Sequence, residues 1–268
     1  MPLRAFFLTA APGQRLCLLH TPPTGQPVRG GILHLHPFAE ELNCTRRVAA
    51  LQARDLAAAG YIVLQIDLYG CGDSSGDFAE ATWLQWQEDA RCGLEFLAAQ
   101  TSGELWLWGL RAGCLLAAQA AACPHPTHLL FWQPVLTGAQ ILRHFLRLQL
   151  AGDTLAGGDN VGSTRLRQRL AAGETLEIAG YGLSPAMAET LEAAVWPDNL
   201  SPRRIECLEI GNGRLSTLLS RQISDWQARG HAARTTTIDG PAFWLTPGTA
   251  DFPALRQATL SAITGAEA

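Results

Sequence analysis

The sequence predicts an α/β fold: a mostly parallel, doubly wound sheet of about eight strands, flanked by helices and carrying a helical cap insertion. Two observations predict it. Short apolar runs alternate with segments whose apolar residues recur at helical spacing. That rhythm breaks between Thr137 and Leu200 and then resumes, the pattern of a core with an insertion.

The elements follow in order. Leu3–Leu8 and Gln14–His20 read as a hairpin turned by Pro12-Gly13, and Pro22–Pro27 as a loop. Gly31–His36 and Tyr61–Asp67 are apolar enough to be buried central strands. Between them Val48–Ala59 has helical spacing, closed by Gly60. Thr82 to about Gln100 reads as a helix, Leu105–Trp108 as a strand, Ala112–Cys123 as a helix and His128–Trp132 as a strand. In the insertion, Ala139–Leu150 and Thr164–Ala172 look helical and Thr175–Leu183 looks like a short hairpin. Ser184-Pro185 opens another helix as N-cap and first helical residue. Strand Arg204–Ile210, helix Thr217–Arg229, strand Ala232–Ile238 and helix Pro253–Thr264 complete the chain. The expected division is a core of residues 1–136 and 201–268 with a cap over 137–200.

Composition narrows the function classes. The chain has 268 residues, 47% hydrophobic and 16% charged, which is a globular composition. Net charge is −4 and no basic tract occurs, so nucleic-acid binding has no electrostatic footprint. Every basic residue is Arg, which removes Schiff-base and Walker-type lysine chemistry. Seven scattered Cys without a CxxC pair fit buried thiols in a reducing, cytoplasmic setting and argue against a disulfide framework or a zinc site. The start, Met1 to Ala11, faintly resembles a signal peptide, but it runs straight into strand-like Arg15–His20 and reads as part of the hairpin. No apolar run is long enough to span a membrane. Neither a metal nor a cofactor is implied.

The most informative stretch is Leu105-Trp-Leu-Trp-Gly109-Leu110-Arg111-Ala112-Gly113. A buried strand runs through Gly-x-Arg-x-Gly into a helix, which is the strand–elbow–helix context of Gly-x-Ser-x-Gly in the α/β-hydrolase fold. Arg111 stands at the nucleophile position, where φ above zero is expected. His36-Pro37-Phe38-Ala39 ends the earlier strand, where the loop supplies one oxyanion-hole N–H; Ala112 would supply the second. His36 itself reads as structural. Asp67–Ser74 resembles the Asp-x-x-Gly-x-Gly-x-Ser loop of the superfamily and reads as a glycine-rich turn with an Asp cap. The loop expected to carry the triad acid, Gly211–Leu219, has no Asp or Glu, and Asp225 falls inside a helix. Phe243 stands where the base His is expected, and the last histidine, His231, is at the wrong end of its strand. A triad works as a unit, so this pattern implies little ordinary hydrolysis.

The segments Pro2–Leu8, His36–Asn43, Leu64–Gly76 and Trp108–Gly113 together resemble the exosortase A system-associated hydrolase 2 family over essentially the whole chain. The resemblance implies an α/β-hydrolase fold and a place beside bacterial exosortase systems, which process PEP-CTERM proteins near exopolysaccharide genes. The word hydrolase in that family name rests on fold.

Three readings stay open. In the first, the chain is a non-catalytic binding protein: the Arg111 guanidinium beside a helix N-terminus takes a carboxylate or phosphate, with His36, Phe38, Glu40, Glu41 and Ala112 around it, or pairs internally with Glu40 or Glu41. In the second, it is a hydrolase or acyltransferase for an ester or thioester with a relocated nucleophile, for which Cys114, Cys71 and Ser74 are nearest. In the third, it is a scaffold for a protein partner of the exosortase system, and Arg143, Arg147, Arg165, Arg167 and Arg169 form solvated faces of the cap helices. A closed pocket favours a ligand; an exposed apolar patch favours a partner.

Overall fold

A computed structural model describes residues 2–122, 125, 127–155, 162–198, 200, 202–246, 248 and 251–265, without the side chains of 150–155 and 163. The N-terminal hairpin forms as expected: β1 (Leu3–Thr9) pairs antiparallel with β2 (Gln14–His20), turned where Ala10 N–H donates to Gly13 O at 3.1 Å. Then β3 (Gly30–Leu35), α1 (Glu40–Ala58), β4 (Tyr61–Ile66), α2 (Trp83–Ala98), β5 (Glu104–Leu110), α3 (Ala112–Ala120) and β6 (Thr127–Trp132) alternate. Between β6 and the next sheet strand lie α4 (Gly138–Leu155), α5 (Ser163–Ala171), the hairpin β7 (Leu176–Ile178) and β8 (Tyr181–Leu183), and α6 (Pro185–Glu192). The chain closes with β9 (Ile205–Gly211), α7 (Thr217–Ala228), β10 (Ala233–Asp239) and α8 (Pro253–Thr264).

The eight-stranded sheet has the order β1-β2-β4-β3-β5-β6-β9-β10. Only the β1–β2 and β2–β4 pairings are antiparallel. Leu33, Leu64, Leu107 and Phe131 face a core shared with α2, α3 and α7. Ile32, Val63, Trp106, Trp108 and Trp132 face α1 and α8. Burial on both faces is why these strands read as continuous apolar runs.

Three boundaries differ from expectation by three residues or more, and one of them is the end of α4, at Leu155 rather than Leu150. Helix α1 begins at Glu40, two turns before Val48, because Leu42 and Thr45 continue its buried stripe while the residues between them are more exposed. Its N-cap, Ala39, has no side chain to signal a start. Helix α3 ends at Ala120 with Ala121 as its C-cap, short of the expected Cys123; Cys123 itself and its thiol lie outside the described residues, as does Met1. The expected cap at Ser184 is present: Met187 N–H donates to Ser184 Oγ at 3.2 Å, with Pro185 at the first helical position. Among the described residues no helix is long and apolar enough to cross a membrane.

One buried group makes the core sensitive to acid. His34 on β3 packs its ring 4.2 Å from that of Trp108, is 4% exposed, and leaves Nε2 without a partner among the described residues. Burial, with lesser contributions from His36 and Arg46, lowers its pKa from 6.5 to about 3. The folded state therefore holds it neutral while the unfolded chain takes up a proton. The resulting stability is whole above pH 6.5 and is lost as pH falls toward 3, by at most about 1.4 kcal/mol per pH unit. Urea unfolding at pH 6.5 and 5 should show His34→Phe losing about 1.5 kcal/mol less than wild type across that interval. Equal losses would show that the imidazole is already charged in the native protein.

Candidate functional site

The site is built by two strand-to-helix turns that converge at the C-terminal ends of β3 and β5. At the second, Arg111 adopts φ 55, ψ −113 and caps α3 with its backbone, as the elbow motif predicts. A non-glycine residue in such a conformation costs roughly 1–3 kcal/mol. The flanking glycines are sterically required. A Cβ on Gly109 would lie 2.4 Å from Gly113 O, and one on Gly113 would lie 2.1 Å from Leu35 O. The tip is tied to the sheet by Arg111 N–H, which donates to Trp132 O at 2.9 Å.

The first turn repeats the geometry. After His36-Pro37-Phe38, Ala39 takes φ 48, ψ −122 and opens α1. The first residues of both helices, Glu40 and Ala112, present N–H groups that lack intrahelical acceptors. Two positive helix ends thus face one space, a setting that favours negative charge.

That space is a cleft of about 300 Å³, floored by Arg111, Ala112, Glu40 and Glu41. Phe38, Val135 and, from α4, Ile141 and Phe145 wall it, and Leu148 and Leu245 stand at 36% and 62% exposure on its lining. Phe38 is fixed by rings on three sides: Phe78, Trp86 and Phe145 at 5.4, 5.5 and 5.1 Å.

Arg111 reaches Glu41, as one of the two expected partners. Its Nε and Nη2 lie 3.2 and 3.1 Å from the same oxygen, Oε1, and both side chains are largely buried. The guanidinium also lies 5.1 Å from the centroid of the Trp244 ring. At most two of its five N–H donors are spent on Glu41. Burial pushes the Glu41 carboxyl up, and Arg111 opposes this. Glu40 lies beside the pair with Oε2 buried and without a partner among the described residues. Burial raises its pKa to about 7; the helix backbone and Arg111 pull it down, Glu41 pushes it up. His144 and Arg147 of α4 complete the polar lining, and burial together with Arg111, Arg147 and Arg143 lowers the His144 pKa.

The remaining sequence candidates stand apart from the cleft. His36 is buried; its Nδ1 donates to Pro37 O at 2.8 Å and its Nε2 accepts from Leu68 N–H at 3.3 Å, which fixes a neutral, structural ring. Asp67 pairs with Arg46 through both oxygens, at 3.1 and 3.2 Å, where the sequence suggested a turn cap. Ser74 Oγ donates to Asp67 O at 2.6 Å and accepts from Leu16 N–H at 2.9 Å. Cys114 is fully buried, its thiol directed at Trp132 O at 3.5 Å, and burial pushes its pKa well up; Cys71 is raised for the same reason. Phe243 turns into the α1/α8 core, and the ring from that loop that meets Arg111 belongs to the next residue, Trp244. The nearest acid on β9, Glu209, accepts from Ser216 N–H at 2.6 Å.

Sequence reasoning missed the contribution of α4. Arg147 reads as part of a solvated face, yet it lines the cleft with His144 and Phe145. The only available signal is the helical spacing of Ile141, Leu142, Phe145 and Leu146, which says that a face is buried but not against what. Among the described residues no group of His, Cys, Asp and Glu could hold a metal ion.

No family model and no curated protein matches the chain. Solved structures do. An α/β serine hydrolase without a lid from Xanthomonas campestris matches 98% of this chain and 94% of its own, with TM-score 0.61 and 17% identity. Est1E from Butyrivibrio proteoclasticus matches 97% and 99%, with TM-score 0.63 and 14% identity. The thioesterase domain from the curacin biosynthetic pathway matches 97% and 100%, with TM-score 0.57 and 17% identity. With its mostly parallel eight-stranded sheet and the elbow between β5 and α3, the chain has the α/β-hydrolase fold.

Proposed function

We propose that the chain is a non-catalytic binding or accessory protein on an α/β-hydrolase scaffold, a pseudoenzyme whose cleft takes a small anion, a carboxylate or phosphate. The observation that carries this is Arg111: a guanidinium held at the elbow tip in a strained backbone, partly paired, and facing a cleft floored by two helix N-termini. Ala112, Phe38, Glu40 and Glu41 frame the ligand, and His36 supports them from beneath. In this reading the Ser-His-Asp set is lost: Arg111 replaces the nucleophile, and Phe243 and Trp244 fill the loop where the base belongs. Residues 137–200 act as a cap over the core of 1–136 and 201–268, and α4 closes one side of the cleft. The scattered thiols fit a cytoplasmic protein, and the motif resemblance supports a role beside an exosortase/PEP-CTERM system with a protein partner there. The concave, apolar-walled cleft, with Arg111 at its floor, favours a ligand over a pure scaffold.

The test is a panel of p-nitrophenyl esters and acyl thioesters, run with wild type and Arg111→Ser side by side. Wild type should show no turnover above background, because the side chains that can be assembled around the tip include no activated nucleophile. Turnover that disappears on mutating Cys114, Cys71 or Ser74 would overturn this and establish an ester- or thioester-cleaving enzyme with a relocated nucleophile.

A further inference from the structure

The cleft pairs its fixed cations with two carboxyl groups, an arrangement that a plain anion site does not need. Arg111 and Glu41 cancel, burial and the neighbouring Arg side chains disfavour the charged form of His144, and Arg147 adds one positive charge. What remains is Glu40, whose Oε2 is buried and has no partner among the described residues. Groups facing it come from every neighbouring element: Glu41 and Cys44 on its own helix, Arg111 at the elbow, His144 and Arg147 across the cleft, and Tyr181 of β8, itself bonded to Asn43 at 3.0 Å. None of these hydrogen-bonds Oε2. A buried, unsatisfied carboxyl oxygen is costly, and a ligand atom that shares a proton with it removes the cost.

The rest of the cleft describes that ligand. Its walls are Phe38, Val135, Ile141 and Phe145, and the partly exposed Leu148 and Leu245 extend them toward solvent. A volume of about 300 Å³, at ~30 Å³ per water-sized group, holds about ten such groups. When Glu40 carries its proton, the one uncancelled positive charge suits a monoanion better than a dianionic phosphate. We infer that the cleft takes a monocarboxylic acid with an apolar chain of medium length, its carboxylate held by Arg111 and hydrogen-bonded to the Glu40 carboxyl. This rests on the anion-binding reading and names its ligand class. With Glu40 near half-protonated at neutral pH, binding takes up a proton from solvent and weakens as pH rises.

Calorimetry with octanoate, octanol and octylamine tests it, at pH 6, 7 and 8 and in two buffers of different ionisation enthalpy. Octanoate should bind best, with net proton uptake approaching one per site at pH 8 and affinity falling about fivefold from pH 7 to 8. Glu40→Gln keeps a neutral donor at that place, so it should bind octanoate with no proton uptake and a flat pH profile. Glu40→Ala should bind weakly at every pH. Proton uptake and a pH profile unchanged in Glu40→Gln would overturn the inference while leaving anion binding at Arg111 standing. Failure of octanoate to bind at pH 6 would also overturn it, and inorganic phosphate binding that is lost in Arg111→Ala would then still uphold the broader reading. Octanoate binding that is indifferent to Arg111→Ala would remove both.

Discussion

Asp89→Ala is expected to lower the unfolding free energy by about 3–5 kcal/mol, the cost of leaving a buried charge without its partner. That corresponds to roughly 10 °C in Tm for a chain of this size. Arg15 on β2 and Asp89 on α2 are both fully buried, with Nε 2.8 Å from Oδ2. The same Oδ2 accepts from Tyr69 N–H at 2.8 Å, and Oδ1 accepts from Gln85 Nε2 at 3.1 Å. Arg15 in turn donates to Pro12 O at 2.7 Å and lies 4.8 Å from the centroid of the Tyr69 ring. Removing the carboxylate therefore strands a guanidinium in the core and frees the backbone of the loop after β4. The double variant Arg15→Met/Asp89→Leu separates charge from packing. It should recover most of the loss, because two apolar side chains need no counter-charge. Urea midpoints for the three proteins decide the matter. A single-variant loss below about 1 kcal/mol would place the pair among solvent-screened bridges.

The legibility of this protein in its sequence follows from where its signals are local. Central strands such as Gly30–Leu35 and Tyr61–Ile66 are buried on both faces, so burial writes an apolar run that a reader can see. The elbow is legible because its glycines answer a local steric demand, and the pairing of Arg111 with a neighbouring glutamate because charge must be met nearby. The start of α1 is not legible. Ala39 offers no capping side chain, and Thr45 and Gln52 interrupt an otherwise apolar stripe although both are buried. The cleft wall supplied by α4 is a tertiary fact: Phe145 meets Phe38 across more than a hundred residues of chain, and no motif records it. The loop after β10 shows the finest limit. Counting residues brings Phe243 to the base position, yet the short helical turn Phe243–Leu245 rotates that ring into the core and sets Trp244 against Arg111.

That rotation gives the second large expected effect. Phe243 is fully buried, with ring centroids 6.2 Å from Trp132, 5.6 Å from Trp244 and 6.0 Å from Phe252. Phe243→Ala should cost about 3–5 kcal/mol, the loss for a large aromatic removed from a packed core. Trp132 would feel the cavity directly, since its indole Nε1 also donates to Thr259 Oγ1 at 2.9 Å and anchors α8. Phe243→His is instructive for function. It places an imidazole among Trp132, Trp244 and Phe252, aimed away from the elbow tip and without a hydrogen-bond partner, so it should destabilise by about 1–3 kcal/mol from the unsatisfied ring alone. The double variant Arg111→Ser/Phe243→His should consequently hydrolyse p-nitrophenyl acetate no faster than Arg111→Ser, because the new base and the new hydroxyl do not face each other. The comparison protein is Arg111→Ser/Trp244→His, whose imidazole replaces the ring that lies against the tip. Burst-phase kinetics on the three proteins, each checked for folding by near-UV circular dichroism, read the orientation of the loop chemically. Acceleration in the Phe243→His double variant over Arg111→Ser would mean that this side chain faces the cleft, and the core placement of Phe243 would then be wrong.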